Sequence, residues 1–370
     1  MPACSSDDPI TIDTGRSGGG SSVGGTSSGG GIGSGAEGGA AGGPGSSKAP
    51  VRRHGNLRVS GTQLVGEHGN AVQLKGISSQ WLNWEGDGYA LNLDALVWMR
   101  DHWNLNLIRA AMGAEPDAPG SYLDENNPEA GKADMLRQVS IIVENAIEAD
   151  VYVIIDFHSH SAQLHEEEAA DFFKQMVEEY GDVPNVLFEP FNEPTDLSPS
   201  EPLDWPELKL YHESIVKTIR DNDPDDHKNV VILGTPRWSQ NVGDAAESPL
   251  EGENLMYTIH FYSCTHGAWL LNAAKSALSG GLPLFATEWG ATAADGGVGA
   301  TPVCATEADQ WHVWMNENAV SWAAWKLDDC DGQSTPDTSC ILANNAPLSG
   351  GWTDEYLNGH GSYIVSKLKN

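Results

Sequence analysis

Short apolar runs alternate with longer amphipathic stretches along most of the chain. From residue 72 onward we predict eight strands, at 72–77, 105–110, 151–157, 186–191, 230–233, 256–261, 284–287 and 321–324. Helical patterns, with apolar residues three and four positions apart, separate most of them, for example over 135–149 and 166–180. Eight strand-then-helix units over about 300 residues match an α/β fold, the (β/α)8 TIM barrel.

A doubly wound open sheet shows the same alternation of strands and helices. Its first turn carries a glycine-rich fingerprint, and no such motif follows the strand at 72–77. We therefore favour the closed barrel. Residues 51–70 place Val59, Leu64 and Val65 around polar turns, and we predict a small N-terminal β-hairpin there that closes the floor of the barrel.

The first 50 residues differ in composition from the rest of the chain. They hold 16 of the 42 glycines, and serine fills most of the gaps. Such a segment buries too little apolar surface to offset the entropy of ordering, so we predict a disordered Gly/Ser-rich linker over 1–50. No second linker is visible, and residues 51–370 are predicted to form one barrel domain that carries the chemistry.

Charge and hydropathy exclude two classes of partner. Twenty Lys and Arg against 52 Asp and Glu give a net charge of −32, which opposes binding to nucleic acid. No transmembrane span is expected, because no window holds 18 consecutive apolar residues. The acidity suits a protein kept soluble in high salt, where ions screen self-repulsion; an ordinary acidic secreted protein is the alternative.

Four of the five cysteines, Cys264, Cys304, Cys330 and Cys340, lie in the last third of the barrel domain. Their even number suits two disulfides formed in an oxidising compartment. The short loop favours pairing Cys330 with Cys340, which leaves Cys264 with Cys304. No Cys-x-x-Cys spacing suggests zinc, and we expect neither a metal nor a cofactor.

The N-terminus bears on localisation. It lacks the apolar core of a signal peptide, and Cys4 is followed by small and acidic residues. Cys4 would therefore be either the lipidated end of a lipoprotein whose signal peptide is absent from this chain, or a free cysteine in the linker. We expect a secreted or cell-surface protein.

Polar side chains that follow the predicted strands would meet at one rim of the barrel. Two carboxylates stand out there, Glu193 in Asn192-Glu193-Pro194 and Glu288, which precedes Trp289. Paired carboxyls are the minimal equipment for glycoside hydrolysis, in which one protonates the leaving oxygen and the other attacks or activates water. The sequence therefore predicts a carbohydrate-cleaving site at the rim.

These segments resemble glycoside hydrolase family 5. Residues 188–194 (FEPFNEP) are similar to the acid/base signature of that family, and residues 285–290 (FATEWG) to its nucleophile signature. Further similar segments occur in the family's order, at 106–109 (NLIR), 155–158 (IDFH), 260–262 (HFY) and 322–325 (WAAW). Residues 76–79 (GISS) and 234–240 (GTPRWSQ) are similar more narrowly to the bacterial endoglucanases (cellulases) of the family.

The resemblance implies a retaining endo-β-1,4-glucanase, which hydrolyses internal bonds of cellulose or related β-glucans through a covalent glycosyl-enzyme. Glu193 would be the general acid and then the base, and Glu288 the nucleophile. We expect the charge of Glu288 to raise the pKa of Glu193, so that Glu193 is protonated near neutral pH. The implied substrate-binding residues are Arg109, His158, Asn192, His260, Tyr262, Trp84, Trp238 and Trp325.

Within that set, Arg109 and the hydroxyl of Tyr262 would keep Glu288 ionised, and Asn192 would hydrogen-bond the sugar 2-hydroxyl. Other polar residues near the rim are interpreted as structural: Asp156, Glu189, His160, His165 and His266. Trp81 is left open between stacking on sugar and packing. Gln80 and Gly113 stand where these endoglucanases often carry histidine and tyrosine, which leaves the sugar preference open.

Two alternatives remain. One is a tethered glucan-binding protein that does not cut, and the other is a mannanase, xyloglucanase or mixed-linkage glucanase on the same barrel. In each case the partner is a neutral polysaccharide or oligosaccharide, and a monomer is expected.

Overall fold

The computed structural model describes residues 49–86, 88–196, 202–224, 228–294, 302–330 and 338–370. The predicted linker lies outside them, except for its last two residues, and Cys4 lies outside them as well. Among the described residues, no helix is long and apolar enough to cross a membrane.

Eight parallel strands close into a barrel, as the sequence predicts. The barrel strands are β3 (Lys75–Ser79), β4 (Leu107–Gly113), β5 (Tyr152–His158), β6 (Val186–Glu189), β7 (Val231–Leu233), β8 (Leu255–Thr258), β10 (Leu284–Gly290) and β11 (Ser321–Leu327). Neighbours in the chain are neighbours in the barrel, and β11 pairs in parallel with both β10 and β3, which closes the ring. The short β9 (Phe261–Tyr262) pairs with the end of β10.

Helices follow the strands and cover the outside of the barrel. They are α2 (Leu93–Trp103), α3 (Pro128–Ala149), α4 (Glu166–Tyr180), α5 (Trp205–Asn222), α7 (Val242–Glu247), α8 (Ala268–Ser279), α9 (Ala305–Asn318) and α10 (Gly359–Lys369), after an initial α1 (Pro50–His54). The short α6 (Pro236–Ser239) is instead a turn at the rim, in which Arg237 and Trp238 have left-handed backbone angles. The prediction for α4 is confirmed. Helix α3 begins seven residues before the predicted position, because Pro128 supplies a preset first turn that carries no apolar periodicity.

The predicted floor hairpin is present. Strands β1 (Arg58–Ser60) and β2 (Gln63–Val65) pair antiparallel. Leu64 packs in one cluster with Leu107, Ile154 and Phe285, which come from three different barrel strands. The hairpin therefore seals the apolar bottom of the barrel and leaves the opposite rim open.

One predicted strand, 256–261, is interrupted in the structure. Strand β8 ends at Thr258, and β9 resumes at Phe261. The backbone N–H of His260 donates to the carbonyl of Ser239, 2.8 Å away, instead of to a neighbouring strand. The interruption places His260 at the rim of the barrel.

Both predicted disulfides are formed. Cys264 pairs with Cys304, with Cα atoms 5.2 Å apart, and Cys330 pairs with Cys340, with Cα atoms 6.0 Å apart. The first links the segment after β9 to the start of α9. The second ties the segment after β11 to the described residues that precede α10. Both bridges therefore lie beyond the carboxyl ends of the last strands.

Candidate active site

The strand period of two explains how apolar strands deliver polar groups to the rim. On β5 the alternate residues Tyr152 and Ile154 belong to the apolar cluster inside the barrel. Asp156 and His158 continue the same face two and four residues further on, and both are buried. One strand thus contributes to the core at its start and to the site at its end.

Strand β10 reaches the rim through an irregularity. Its register against β11 shifts between Ala286 and Trp289, and such a bulge turns successive side chains toward the same side. Thr287 donates a hydrogen bond of 2.6 Å to a carboxylate on β6, and Glu288 accepts one of 3.2 Å from a guanidinium on β4. Both side chains therefore point into the barrel.

That guanidinium belongs to Arg109, which is fully buried beneath the rim. It lies 2.7 Å from Glu189, 2.9 Å from Asp156 and 3.2 Å from Glu288, and donates to Asn192 Oδ1 at 2.7 Å. Asp156 and Glu189 thus brace Arg109, in keeping with the structural role predicted for them. Because Arg109 is covered by Glu288 and Asn192, it positions these two residues and does not itself reach the cleft.

Glu288 is held at both carboxylate oxygens. Arg109 donates to Oε2, and the hydroxyl of Tyr262 donates to Oε1 at 2.7 Å. Burial, and then the negative charge of Glu288, raise the pKa of Tyr262, which keeps its proton in place for this bond. A carboxylate oxygen of Glu193, a carboxylate oxygen of Glu288 and a ring nitrogen of His260 all lie within 4.8 Å of one another. The two glutamates, 95 positions apart in the chain, therefore meet across the mouth of the barrel.

Two histidines face the carboxylate of Glu193. His260 Nδ1 lies 2.9 Å from Oε1, and His160 Nε2 lies 3.4 Å from Oε2. Burial raises the pKa of Glu193, but the hydrogen bonds and charges of His160 and His260 outweigh burial and bring it below its usual range. The expected net rise in the pKa of Glu193 is therefore not found, because the hydrogen bonds and charges of His160 and His260 lower this pKa more than burial raises it.

The same contacts act on the histidines. Burial lowers the pKa of His260, but hydrogen bonds to carboxylates raise it more, to about 9. His158 behaves in the opposite way, because burial and the charge of Arg109 bring its pKa well below the usual value. His158 Nδ1 lies 2.6 Å from Asp156, and its ring stacks on Trp325 with centroids 5.4 Å apart. A neutral His158 leaves Nε2 free to accept a sugar hydroxyl.

Trp238 is presented by a strained turn. Arg237, Trp238 and Ser239 all have left-handed backbone angles, with φ of 60°, 56° and 54°, a conformation that costs side-chain-bearing residues roughly 1–2 kcal/mol each. The turn is tied to the segment that carries Glu193, since Trp238 N–H donates to the carbonyl of Pro194 at 3.0 Å. Trp238 as a residue is 51% exposed, and it lines the cleft.

These groups line an open cleft of about 440 Å³. Its walls include nearly all the predicted site residues, namely Glu193, Glu288, His158, Asn192, His260, Tyr262, Trp238 and Trp325. Trp84 does not line this cleft. It lines an adjoining groove of about 550 Å³, and Trp81 and His160 line both the groove and the cleft. Trp84 is 53% exposed, and its ring stacks on Trp81 with centroids 5.0 Å apart.

Three residues that the sequence interpretation left structural or open also line the cleft: His160, His266 and Trp81. His266 Nδ1 accepts the backbone N–H of Tyr262 at 2.8 Å, so it supports the segment that carries Tyr262. His160 follows His158 by two positions, and the alternation that placed His158 at the rim could have identified it. Trp81 lies two residues after the observed end of β3 at Ser79, and its side chain forms part of the cleft wall.

Comparison with known proteins agrees with this geometry. A family model described as cellulase (glycosyl hydrolase family 5) matches residues 65–331. Endoglucanase A of Evansella cellulosilytica is 38% identical over 305 residues, which is 81% of this chain and 57% of that protein. The chain thus spans little more than half the length of that relative.

Solved structures are similar over the same region. A structure from Cytophaga hutchinsonii has a TM-score of 0.77 and 36% identity, and the match covers 87% of this chain and 97% of that one. A variant of the catalytic domain of Thermobifida fusca endoglucanase Cel5A, in complex with cellotetraose, has a TM-score of 0.73 and 29% identity. That match covers 87% of this chain and 100% of the other.

Proposed function

The chain belongs to glycosyl hydrolase family 5, and on that premise we propose that it is a retaining endo-β-1,4-glucanase acting on cellulose or a related β-glucan. The observation that carries the proposal is that Glu193 and Glu288 meet in an open cleft, where a carboxylate oxygen of one lies within 4.8 Å of a carboxylate oxygen of the other. Retaining enzymes place their two carboxyls ~5–5.5 Å apart, whereas inverting enzymes leave room for a water between them, at ~6.5–9.5 Å.

Glu288 is proposed as the nucleophile. Its carboxylate is fixed by Arg109 and Tyr262, so that an oxygen can attack the anomeric carbon while the glycosidic C–O bond breaks. Glu193, a carboxylate at rest, must gain a proton for this step and passes it to the departing oxygen. In the second step Glu193 removes a proton from water, and the resulting hydroxide displaces Glu288 from the sugar.

Other cleft residues would hold the sugar. The Oδ1 atom of Asn192 accepts a hydrogen bond of 2.7 Å from Arg109, so the side-chain NH2 group of Asn192 can donate to a sugar hydroxyl. Trp325 forms part of the cleft wall beside His158, and Trp238 and Trp84 offer exposed indole faces. Flat apolar faces of pyranose rings can cover these indoles, so we propose the three tryptophans as stacking platforms.

We further propose that the protein works outside the cytoplasm, in the secreted or cell-surface form expected from the sequence. The support is the pair of disulfides, which form and persist in oxidising compartments. The linker at 1–50 would then act as a tether.

Replacing the nucleophile tests the proposal. Glu288→Gln keeps the shape of the side chain but removes its nucleophilic charge, so release of reducing ends from carboxymethylcellulose should fall on the order of 10³-fold or more. Glu317→Gln makes the same chemical change on an exposed face of α9 and should leave the rate unchanged. Most activity remaining in Glu288→Gln would refute the assignment.

The alternatives have their own readouts. Rates on carboxymethylcellulose, barley glucan, xyloglucan and mannan rank the substrate classes, and the proposal expects cellulose-type chains to be cut. NMR of fresh cello-oligosaccharide products should show the β-anomer, as retention requires. Binding of cellotetraose without any turnover would instead identify a glucan-binding protein.

A further inference from the structure

A second carboxylate stands behind one of the histidines that face Glu193. Glu115 lies in the segment after β4, and its Oε1 is 3.5 Å from His160 Nδ1. The other ring nitrogen of His160, Nε2, is 3.4 Å from Glu193 Oε2. The imidazole thus bridges two carboxylates, and we refer to Glu115 and His160 together as the Glu115–His160 pair.

Glu115 is fixed by several donors. Ser159 Oγ donates to its Oε1 at 2.9 Å, Ser161 Oγ donates to its Oε2 at 3.2 Å, and the backbone N–H of His160 also donates to Oε1. Burial raises the pKa of Glu115, but the contact with the His160 ring, then the backbone N–H of His160 and the Ser159 hydroxyl, lower it more, so the group stays ionised. A fixed anion is therefore held on the side of His160 that faces away from Glu193.

The pair stabilises a proton on His160. Burial lowers the pKa of His160, but the hydrogen bonds and charges of Glu115 and Glu193 raise it to about 10. The side chain is 38% exposed, compared with 14% for Glu193. His160 lines both the central cleft and the adjoining groove, so it lies at the border between the reacting group and solvent.

We propose that the Glu115–His160 pair is a proton relay for Glu193. In the resting state Glu193 is a carboxylate and His160 an imidazolium. As the glycosidic bond breaks, the proton on His160 Nε2 passes to Glu193 Oε2 and from there to the leaving oxygen. In the second step Glu193 takes a proton from water and returns it to His160, so the proton count is restored in each cycle.

This inference rests on the proposed function, since it takes Glu193 as the acid/base, and it makes His160 and Glu115 positioning residues. Among the described residues, the other titratable or charged groups near Glu193 and His160 are His158, His260, His266, Tyr262 and Glu288, with Arg109, Asp156 and Glu189 beneath them, and Asp117, which lines the same groove as Glu115 and His160. The hydrogen-bond and ion-pair partners of Glu115 in the described part of the chain are Ser159, Ser161 and His160, so a change at Glu115 acts on Glu193 through His160.

The pH profile of kcat/KM tests the relay. The basic limb reports loss of the proton shared by Glu193 and His160, because bond cleavage needs that proton. Glu115→Gln removes the anion that stabilises the imidazolium, so the pair should lose its proton at lower pH. We expect the basic limb to move down by about one pH unit, while the acidic limb stays in place.

Glu125→Gln is the matched control, because Glu125 is an exposed glutamate in the same segment. Its profile should match that of the wild type. His160→Gln keeps a hydrogen-bond donor but cannot carry the proton, and it should also lower the basic limb. This second variant supplies the test if Glu115→Gln fails to fold.

Leaving-group dependence separates a relay from a general loss of structure. Aryl cellobiosides with phenol as leaving group need a proton, whereas dinitrophenol departs without one, so Glu115→Gln should lose more activity on the phenol substrate. If Glu193→Gln is inactive on the phenol substrate, the acid/base role of Glu193 stands. An unshifted basic limb in both Glu115→Gln and His160→Gln would then overturn the relay and leave that role in place. Full activity of Glu193→Gln would overturn the relay together with the proposed acid/base role.

Discussion

Arg109 shows how much of the site depends on one buried residue. Its guanidinium joins Asp156 on β5, Glu189 on β6 and Glu288 on β10, all within 3.2 Å. Burial lowers the pKa of Arg109, but these three carboxylates raise it well above the usual value. Several charges out of water are tolerated because each has partners at hydrogen-bond distance.

Removing the charge of Arg109 should therefore be costly. Arg109→Met leaves buried carboxylates unpaired, and we expect a loss of roughly 3–5 kcal/mol in the free energy of unfolding. Arg137→Met, at an exposed pair with Asp134, should cost less than about 1 kcal/mol. Urea denaturation of the two variants measures the difference, and equal losses would contradict the role assigned to Arg109.

Among the elements, the end of β4 and the segment after β3 fit each other closely. A Cβ atom at Gly113 would lie 2.0 Å from Asn83 Oδ1 and 3.2 Å from the ring of Trp81. Asn83 lies between Trp81 and Trp84, the two stacked indoles beside the cleft. The absent side chain at Gly113 thus leaves the space that the Asn83 side chain and an edge of the Trp81 ring occupy.

Gly113→Ala should disturb that arrangement. The added methyl group must displace the Asn83 side chain and press on the Trp81 ring, so we expect KM for cello-oligosaccharides to rise several-fold while kcat changes less. Gly86→Ala is the control, because nothing lies within 4 Å of the Cβ it would add. Steady-state kinetics on cellotetraose compares the two variants. An unchanged KM in Gly113→Ala would show that the packing beside Trp81 does not affect substrate binding.

For the whole molecule, charge is the dominant feature. A net charge of −32 makes the folded chain repel itself, because compaction brings the carboxylates together. The Debye length falls from about 30 Å at 0.01 M salt to about 3 Å at 1 M, so salt should remove most of this repulsion.

We therefore expect the thermal unfolding midpoint to rise as sodium chloride increases from about 0.01 M to about 1 M. A neutral solute at equal osmolality serves as control and should produce a smaller rise. Differential scanning calorimetry gives both midpoints. A midpoint that stays constant or falls with salt would show that self-repulsion does not limit the stability of this protein.

Much of the fold could be predicted because its signals are local. Apolar runs gave every barrel strand an overlapping prediction, and the 3.6-residue period gave the bounds of α4. Ends were less predictable where side chains outside the pattern decide them. Pro128 starts α3 early, and the contact of His260 with Ser239 interrupts the predicted strand at 256–261.

The sequence by itself determined the alternation of strands and helices, the two glutamates at strand ends and the pairing of the late cysteines, because periodicity and spacing along the chain encode these features. Only the tertiary structure decided which groups face Glu193 and lower its pKa. His160 and Glu115 are 45 positions apart, and His260 is 67 positions from Glu193, so their effect on its pKa arises from distances in space. The same is true of the close approach of Asn83 and Trp81 to Gly113, which lies 30 or more positions away in the chain.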